Sequence, residues 1–503
     1  MRIKYSVRHR FPETFEKIKI KGSSGMRFTK VFLNISIKSH SAVVLLSVAS
    51  LMLVSIVASV VSPMLFATIL LLMGLGILRI SNMNNHADFT FAGKLFTFVF
   101  CFSVILTSLL YLYYTHTFGV SYESGGTDDA RFEKQAQAMV DYKVTTYEEA
   151  KNIYRLTGTG IWNSAGNYVI LLAMVHKLVS TVGLEPHTLN YRLLNGFFLA
   201  MTAVLVWVIA RRCCKYESTA LFSGYYAGLL PSMLFVAAHT YRDVLIGFVI
   251  MLVVLLMITL PNRFSNGLLK ASISIISLVL SIILLENLRE GMLVIMAGMT
   301  GLMAVFQTKS LSRRVGLLLL LIVVIGVLVT LGFLDKFIGL SVDNINYYTE
   351  YKASQGSESG IATGIYRLPA LLSYPFRIVY LSISPLPFPS KYISEDFRRL
   401  GTLVWFFSLP FLLRAFLTSR KLPEYFRKRY RQLVATAFLV IYLVVALTTL
   451  QARQITMFVP LGAILIAVGI ERSTRSFFYD IFVMMTLGMI MVLLYLGIKF
   501  LSV

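Results

Sequence analysis

The chain has 503 residues, 57% hydrophobic and only 14% charged, with a mean hydropathy of +0.74. That apolar excess is more than one aqueous core can bury, and it excludes a soluble globular domain. The net charge of +23 lies in short basic clusters between apolar runs, the pattern of loops facing anionic lipid, and no nucleic-acid motif accompanies it. Cys101, Cys213 and Cys214 fall within or beside apolar segments and give neither a disulfide framework nor a metal-ligand pair.

In chain order, residues 1–40 read as a basic cytoplasmic tail, with Arg2, Lys4, Arg8, Arg10, Lys17, Lys19 and Lys21 ahead of any apolar run. The tail is too long and too amphipathic for a cleaved signal peptide and suits a segment lying on the membrane surface. Residues 41–114 carry apolar runs at 41–61, 64–80 and 93–114, the break at Val61-Ser62-Pro63 being the weakest. A large loop follows at 115–191. The transmembrane core, 192–334, holds runs at 192–210, 218–238, 243–260, 269–287, 291–306 and 314–334. After a second loop at 335–400, residues 401–503 hold runs at 401–418, 433–450, 454–470 and 477–499. The expected fold is therefore all-α, a polytopic transmembrane helical bundle of about 13 spans with two large extracytoplasmic loops. The patch Ser354-Gln355-Gly356-Ser357-Glu358-Ser359-Gly360 in the second loop suits a mobile lid.

Residues 161–183 are apolar enough to cross, yet counting them as a span would put Arg211, Arg212 and Lys215 outside and invert every later loop. The positive-inside rule rejects that, so the stretch reads as a helix in the outer interface with His176 and Lys177 toward water. With the N-terminus in the cytoplasm, most lysines and arginines fall inside and most acidic residues outside. The expected location is the inner membrane of a bacterium, with the site on the extracytoplasmic face.

That face carries the chemistry-bearing residues. Gly125-Gly126-Thr127-Asp128-Asp129 opens the first loop, and paired carboxylates there could supply a general base for a hydroxyl nucleophile. Equally, either aspartate could cap the helix that follows. Three tight outer turns hold Tyr241-Arg242-Asp243, Glu286 to Glu290 with Arg289 between them, and Gln451-Ala452-Arg453-Gln454. Short external loops disfavour arginine, so Arg242, Arg289 and Arg453 together point to an anionic headgroup bound by guanidinium donors. Glu286, Glu290, Tyr347, Tyr348 and His187 are candidate sugar or acceptor contacts, although tyrosines at an interface are more often belt residues and lone histidines more often solvated surface. No histidine spacing suggests a structural metal.

The order of these features resembles the GT-C superfamily of membrane glycosyltransferases, in the bacterial branch related to protein mannosyltransferases and the lipid A aminoarabinose transferase. Thr127-Asp128-Asp129-Ala130-Arg131-Phe132 matches that family's early acidic pair. Tyr191-Arg192-Leu193-Leu194 matches an arginine opening a span, and Leu230-Pro231-Ser232 with Arg242-Asp243 a proline-bearing span with an acidic outer end. Arg453 to Pro460 matches a late arginine before another proline-bearing span. The resemblance covers 115–260 well and 450–470 loosely. A His-Pro-Pro before the interfacial helix is missing, and the first large loop follows the third span instead of the first.

The resemblance implies a sugar donor on a polyprenyl phosphate or diphosphate, a lipid or glycan acceptor, and inverting transfer. Asp128 or Asp129 would be the base, the other orienting the acceptor or a divalent cation. Asp243 would assist, and Arg242, Arg289 and Arg453 would stabilise the departing phosphate. An O-antigen or exopolysaccharide polymerase is the nearest rival, since it also places outward arginines on a diphosphate. A lipid-linked sugar flippase comes third, because the middles of the spans at 193–210, 244–260, 269–285 and 315–334 carry no charge.

Overall fold

The computed structural model describes residues 40–307 and 365–489 apart from short stretches, the longer ones being 82–85, 124–127, 153–165, 385–391, 418–424, 449–451 and 473–478. The described residues form helices and no strand. Lipid offers no partner to a backbone N–H or C=O, so an apolar chain at that depth satisfies its own polar groups by coiling. Eight described helices are long and apolar enough to cross a membrane, or nine if one bent pair is a single span. The expected run at 314–334 and most of that at 477–499 lie outside the described residues, as does the glycine- and serine-rich patch near 354–360.

The N-terminal group is α1 (His40–Ala58), α2 (Ser62–Ser81) and α3 (His86–Phe118). Ser59 adopts a positive φ of 56° and Pro63 lies in the first turn of α2, so the weak break is a true interruption between two helices. Beyond α3 come α4 (Asp128–Asp141) and α5 (Gly166–Thr181), then α6 (Thr188–Cys213). The expected span at 218–238 is two helices, α7 (Glu217–Leu229) and α8 (Pro231–Ala237), bent by 50°. Pro231 explains the break, since it lacks an N–H and its ring clashes with the preceding turn. The remaining helices are α9 (Asp243–Ser265), α10 (Leu268–Leu288), α11 (Met292–Gln307), α12 (Ala370–Ile383), α13 (Ile393–Leu417), α14 (Tyr425–Thr448) and α15 (Ile455–Glu471).

Two helices form the centre. Every residue of α15 from Ile455 to Ile470 is buried, and α6 packs against α3, α7, α9 and α15. The periphery is different: α1 leaves Val44, Leu45, Met52 and Ile56 exposed, and α10 leaves Leu269, Ile276 and Leu280 exposed. Such faces are stable only where the surrounding solvent is itself apolar. Close helix contact at the centre depends on small residues. A Cβ on Gly247 of α9 would collide with the carbonyl oxygen of Thr456 at the start of α15, and one on Gly401 of α13 with the backbone nitrogen of Ser232 beside the α7–α8 break.

The bundle has two chemically distinct ends. At one, Arg211 pairs with Asp88 and Glu217 at 2.9 Å each, and Glu471 accepts from the amides of Lys215 and Tyr216 at 2.9 Å. At the other, α3 finishes and α6 begins side by side: the Tyr111 hydroxyl lies 3.2 Å from His187 Nε2, and Arg192 donates to the Ser121 carbonyl. The whole connection between α3 and α6, including α5, thus starts and finishes at one end. Lys177 is exposed, as expected, together with Met174, Leu178 and Val182. His176 is half-buried: its Nδ1 lies 2.5 Å from the Tyr191 hydroxyl, which anchors α5 to the start of α6.

Gly247→Ala should lower stability in detergent by about 1–3 kcal/mol, the usual cost of overpacking against backbone that cannot move aside. Gly298→Ala is the control, because nothing lies within 4 Å of the position its Cβ would take. Equal thermal midpoints for the two variants would contradict this account of the α9–α15 crossing.

Candidate functional site

The end of the bundle where α3 finishes gathers charged residues from segments far apart in the sequence. Arg453 sits in a short 3-10 turn, Ala452–Gln454, immediately before α15. Its Nη1 lies 2.6 Å from Asp128 Oδ2 and its Nε 3.5 Å from Asp243 Oδ2. Across Asp243, Arg289 approaches Oδ1 at 4.0 Å, and the Arg453 guanidinium lies 5.2 Å from the Tyr241 ring centroid. Four of the sequence-predicted residues, Asp128, Asp243, Arg289 and Arg453, therefore form one cluster.

Local structure explains their placement. Asp128 opens α4 and Asp243 opens α9, where the exposed N–H groups of a first turn favour an anion. The Thr456 hydroxyl donates to the Asp243 carbonyl at 2.9 Å, fixing the start of α15 to the start of α9. Asn195 of α6 donates to the carbonyls of His239 at 2.7 Å and Tyr241 at 2.9 Å, holding the turn that presents Asp243. Burial opposes the charge on Arg453, but the carboxylates of Asp243 and Asp128 outweigh it and raise the guanidinium pKa further.

The two aspartates of the early pair differ. The Asp128 side chain is 36% exposed, whereas Asp129 is buried within electrostatic reach of His239. Burial lowers the pKa of His239, so its neutral ring uses Nδ1–H to donate to the Phe235 carbonyl at 2.8 Å. Its Nε2 faces the Tyr114 hydroxyl at 3.0 Å.

Several expected contacts take other roles. Arg242, expected on a phosphate, donates from Nη1 to the Leu288 carbonyl at 3.1 Å, closing the end of α10. Glu286, expected on a sugar, accepts from the amides of Gly291 at 3.2 Å and Leu293 at 2.7 Å, so it caps the start of α11. His187, expected as an acceptor contact, is the N-cap of α6, its Nδ1 accepting from the Leu189 amide at 3.2 Å. Each meets helix-end groups that lack intrahelical partners, a need that spacing alone does not distinguish from ligand binding. Glu290, Tyr347 and Tyr348 lie outside the described residues. Among the described residues no group of three His, Cys, Asp or Glu side chains could hold a metal ion.

Sequence reasoning missed a second layer. Glu133 of α4 is buried and accepts from the hydroxyls of Tyr122 at 2.7 Å, Thr188 at 2.9 Å and Thr240 at 2.5 Å. Burial pushes its carboxyl above the ordinary range against the opposing pull of Arg192. Arg192, matched above to an arginine that opens a span, is wholly buried under Tyr122. Glu123 accepts from the Ser394 hydroxyl at 2.9 Å, tying the first loop to α13. The position of Glu133 within the amphipathic stretch after Asp128 was the available signal. Beside Ile455, two residues from Arg453, a narrow and mostly apolar cleft is lined by Leu230, Leu381, Trp405 and Phe458.

Compared with known proteins, the chain matches no protein-family model, no curated protein and no solved structure.

The two ion pairs of Arg453 test burial against distance. Asp128 is nearer, but Asp243 is 4% exposed. Coulomb energy changes by about a third between 2.6 and 3.5 Å, while the effective dielectric falls several-fold from surface to interior, so burial should win. Double-mutant cycles on thermal stability should give Arg453 with Asp128 a coupling of at most about 1 kcal/mol, and Arg453 with Asp243 a larger one. The reverse order would contradict this view of the cluster.

Proposed function

We propose that the chain is a membrane glycosyltransferase that moves a sugar from a polyprenyl phosphate or diphosphate carrier to a hydroxyl acceptor, on the extracytoplasmic face of the membrane. The observation that carries this reading is Arg453, shared between a buried carboxylate and a partly exposed one, with Arg289 on the far side of Asp243. Phosphate oxygens are ligands of choice for guanidinium groups, and a donor phosphate reaching Arg453 competes with Asp128 for the same N–H donors.

That competition supplies a mechanism. As the phosphate takes Arg453, the Asp128 carboxylate is released to accept the proton of the incoming hydroxyl. The acceptor oxygen forms its bond to the anomeric carbon while the bond from that carbon to the phosphate oxygen breaks, inverting the centre. The leaving phosphate keeps the electron pair, and Arg453 and Arg289 stabilise its growing charge. Asp128 is the better base of the early pair because a base must reach a diffusing acceptor, and Asp129 is buried. Asp243 holds both guanidinium groups in place. A divalent cation, if the reaction uses one, would have to recruit Asp128 from its arginine.

Purified protein in proteoliposomes should transfer radiolabelled sugar from a polyprenyl-linked donor. Asp128→Asn should reduce the rate by about a hundredfold or more, within the range for loss of a general base. Arg453→Gln should reduce it at least as much, by loss of charge stabilisation. Full transfer by Asp128→Asn combined with loss of chain elongation in Arg453→Gln would favour the polymerase instead. Counterflow of lipid-linked sugar with no acceptor present would favour transport.

A further inference from the structure

The helix that carries Asp128 is short and polar, and its extended packing is against α5, not against the central helices. Besides the apolar contacts of Phe132, Ala136 and Met139, two of its charged side chains link α4 to other segments. One is the Asp128–Arg453 ion pair, which the transfer mechanism requires to open. The other is Glu133, five residues further along the same helix.

The partners of Glu133 come from three separate segments. Tyr122 follows the end of α3, Thr188 is the first residue of α6, and Thr240 lies three residues before Asp243 in the turn leading to α9. One carboxylate therefore joins the helix bearing Asp128 to the turn bearing Asp243. Arg192, buried a turn into α6, supplies the compensating charge and itself donates to the Ser121 carbonyl. Three hydrogen bonds accepted by one buried carboxyl from separate segments define a single geometry, because each is strengthened by the low local dielectric.

We infer that Glu133 is a positioning residue: its carboxylate locks the Asp128 helix to the Asp243 turn, so that Asp128 stays in register when the donor phosphate takes Arg453 from it. The catalytic half of this inference rests on the transferase reading above, and the mechanical half does not. A link that persists through turnover is needed because the first link is the one the substrate breaks. Loss of Glu133 acts on the chemical step through the placement of Asp128, a displacement of about 1 Å being enough to cost up to a hundredfold in rate.

The test pairs hydrogen exchange with steady-state kinetics on the full chain in lipid nanodiscs. Glu133→Leu should speed amide exchange across residues 130–141 by about tenfold or more while α15 keeps its protection, as expected for local opening of one unit. With a polyprenyl-linked sugar as donor, kcat should fall by about tenfold to a hundredfold with the donor KM within about twofold, the signature of an interaction expressed in the transition state. Glu133→Gln, which keeps an acceptor for Thr240, should restore most of both. Should Glu133→Leu not fold, Tyr122→Phe and Thr240→Val remove single donors and should move both readouts in the same direction by smaller amounts. Unchanged exchange in α4 would overturn the lock, and a loosened α4 with unchanged kcat would overturn the positioning role. A wild-type chain inert toward every polyprenyl-linked donor would sink the transferase reading instead, and the exchange data would still decide the lock.

Discussion

Arg453 is held by two carboxylates from separate helices, Asp128 from a polar helix and Asp243 from the first turn of a buried one. A guanidinium so placed has lost much of its water and is stable only while anions stand beside it. That requirement constrains the rest of this end of the bundle. The turn before α15 must lie against the start of α9, and α4 must fold back over both. Asp243 must also accommodate Arg289 from the α10–α11 turn. None of these elements is close to another in sequence, so the cluster exists only once the helices have assembled.

The assembly uses steric permission as much as attraction. Gly247 lets α9 approach the backbone of Thr456, one turn from Asp243, and the Thr456 hydroxyl then bonds the Asp243 carbonyl. Gly401 lets α13 approach Ser232 at the α7–α8 break, which brings Ser394 within reach of Glu123. In a membrane the apolar effect gives helices little reason to prefer one another over lipid, so close packing and hydrogen bonds decide which faces meet. Lipid-facing helices such as α1 and α10 need only be apolar, and they leave much of their surface exposed accordingly.

Much of this was readable from the sequence, and the parts that were not have two causes. Apolar run length locates most helices within a few residues, because the bilayer fixes the length a span needs. Positive-inside reasoning about Arg211, Arg212 and Lys215 treats residues 161–183 as a non-crossing segment, and in the structure the chain between α3 and α6 does begin and end together. Rim arginines beside acidic residues pointed to Arg289, Arg453, Asp128 and Asp243. The same rule also selected Arg242, Glu286 and His187, which serve helix ends, because a charged residue in a tight turn looks alike whether it meets a ligand or an orphan backbone group. The role of Glu133 was hidden for a second reason. Its place in an amphipathic stretch marks it only weakly, and only the folded chain puts Tyr122, Thr188 and Thr240 around one carboxylate.

Both ends of the bundle carry buried ion pairs, so charge clustering alone does not mark a site. The difference lies in what the charges hold. At the end opposite Arg453, Glu471 accepts from the amides of Lys215 and Tyr216, and Arg431 donates from Nε to the Cys213 carbonyl at 2.6 Å. Those partners are backbone groups of a tight turn between α6 and α7, and displacing them would leave polar backbone unsatisfied in an apolar setting. Arg453 instead meets side-chain carboxylates, one of them 36% exposed. Its bond to Asp128 can be exchanged for a bond to an entering anion with no loss of backbone pairing, and the released carboxylate regains solvent or an acceptor hydroxyl. An ion pair whose partner can leave without cost to the fold is one that a ligand can replace; at the other end the nearest analogue, Arg211 with Glu217, is tied further because Glu217 also accepts from the Trp207 indole at 2.7 Å.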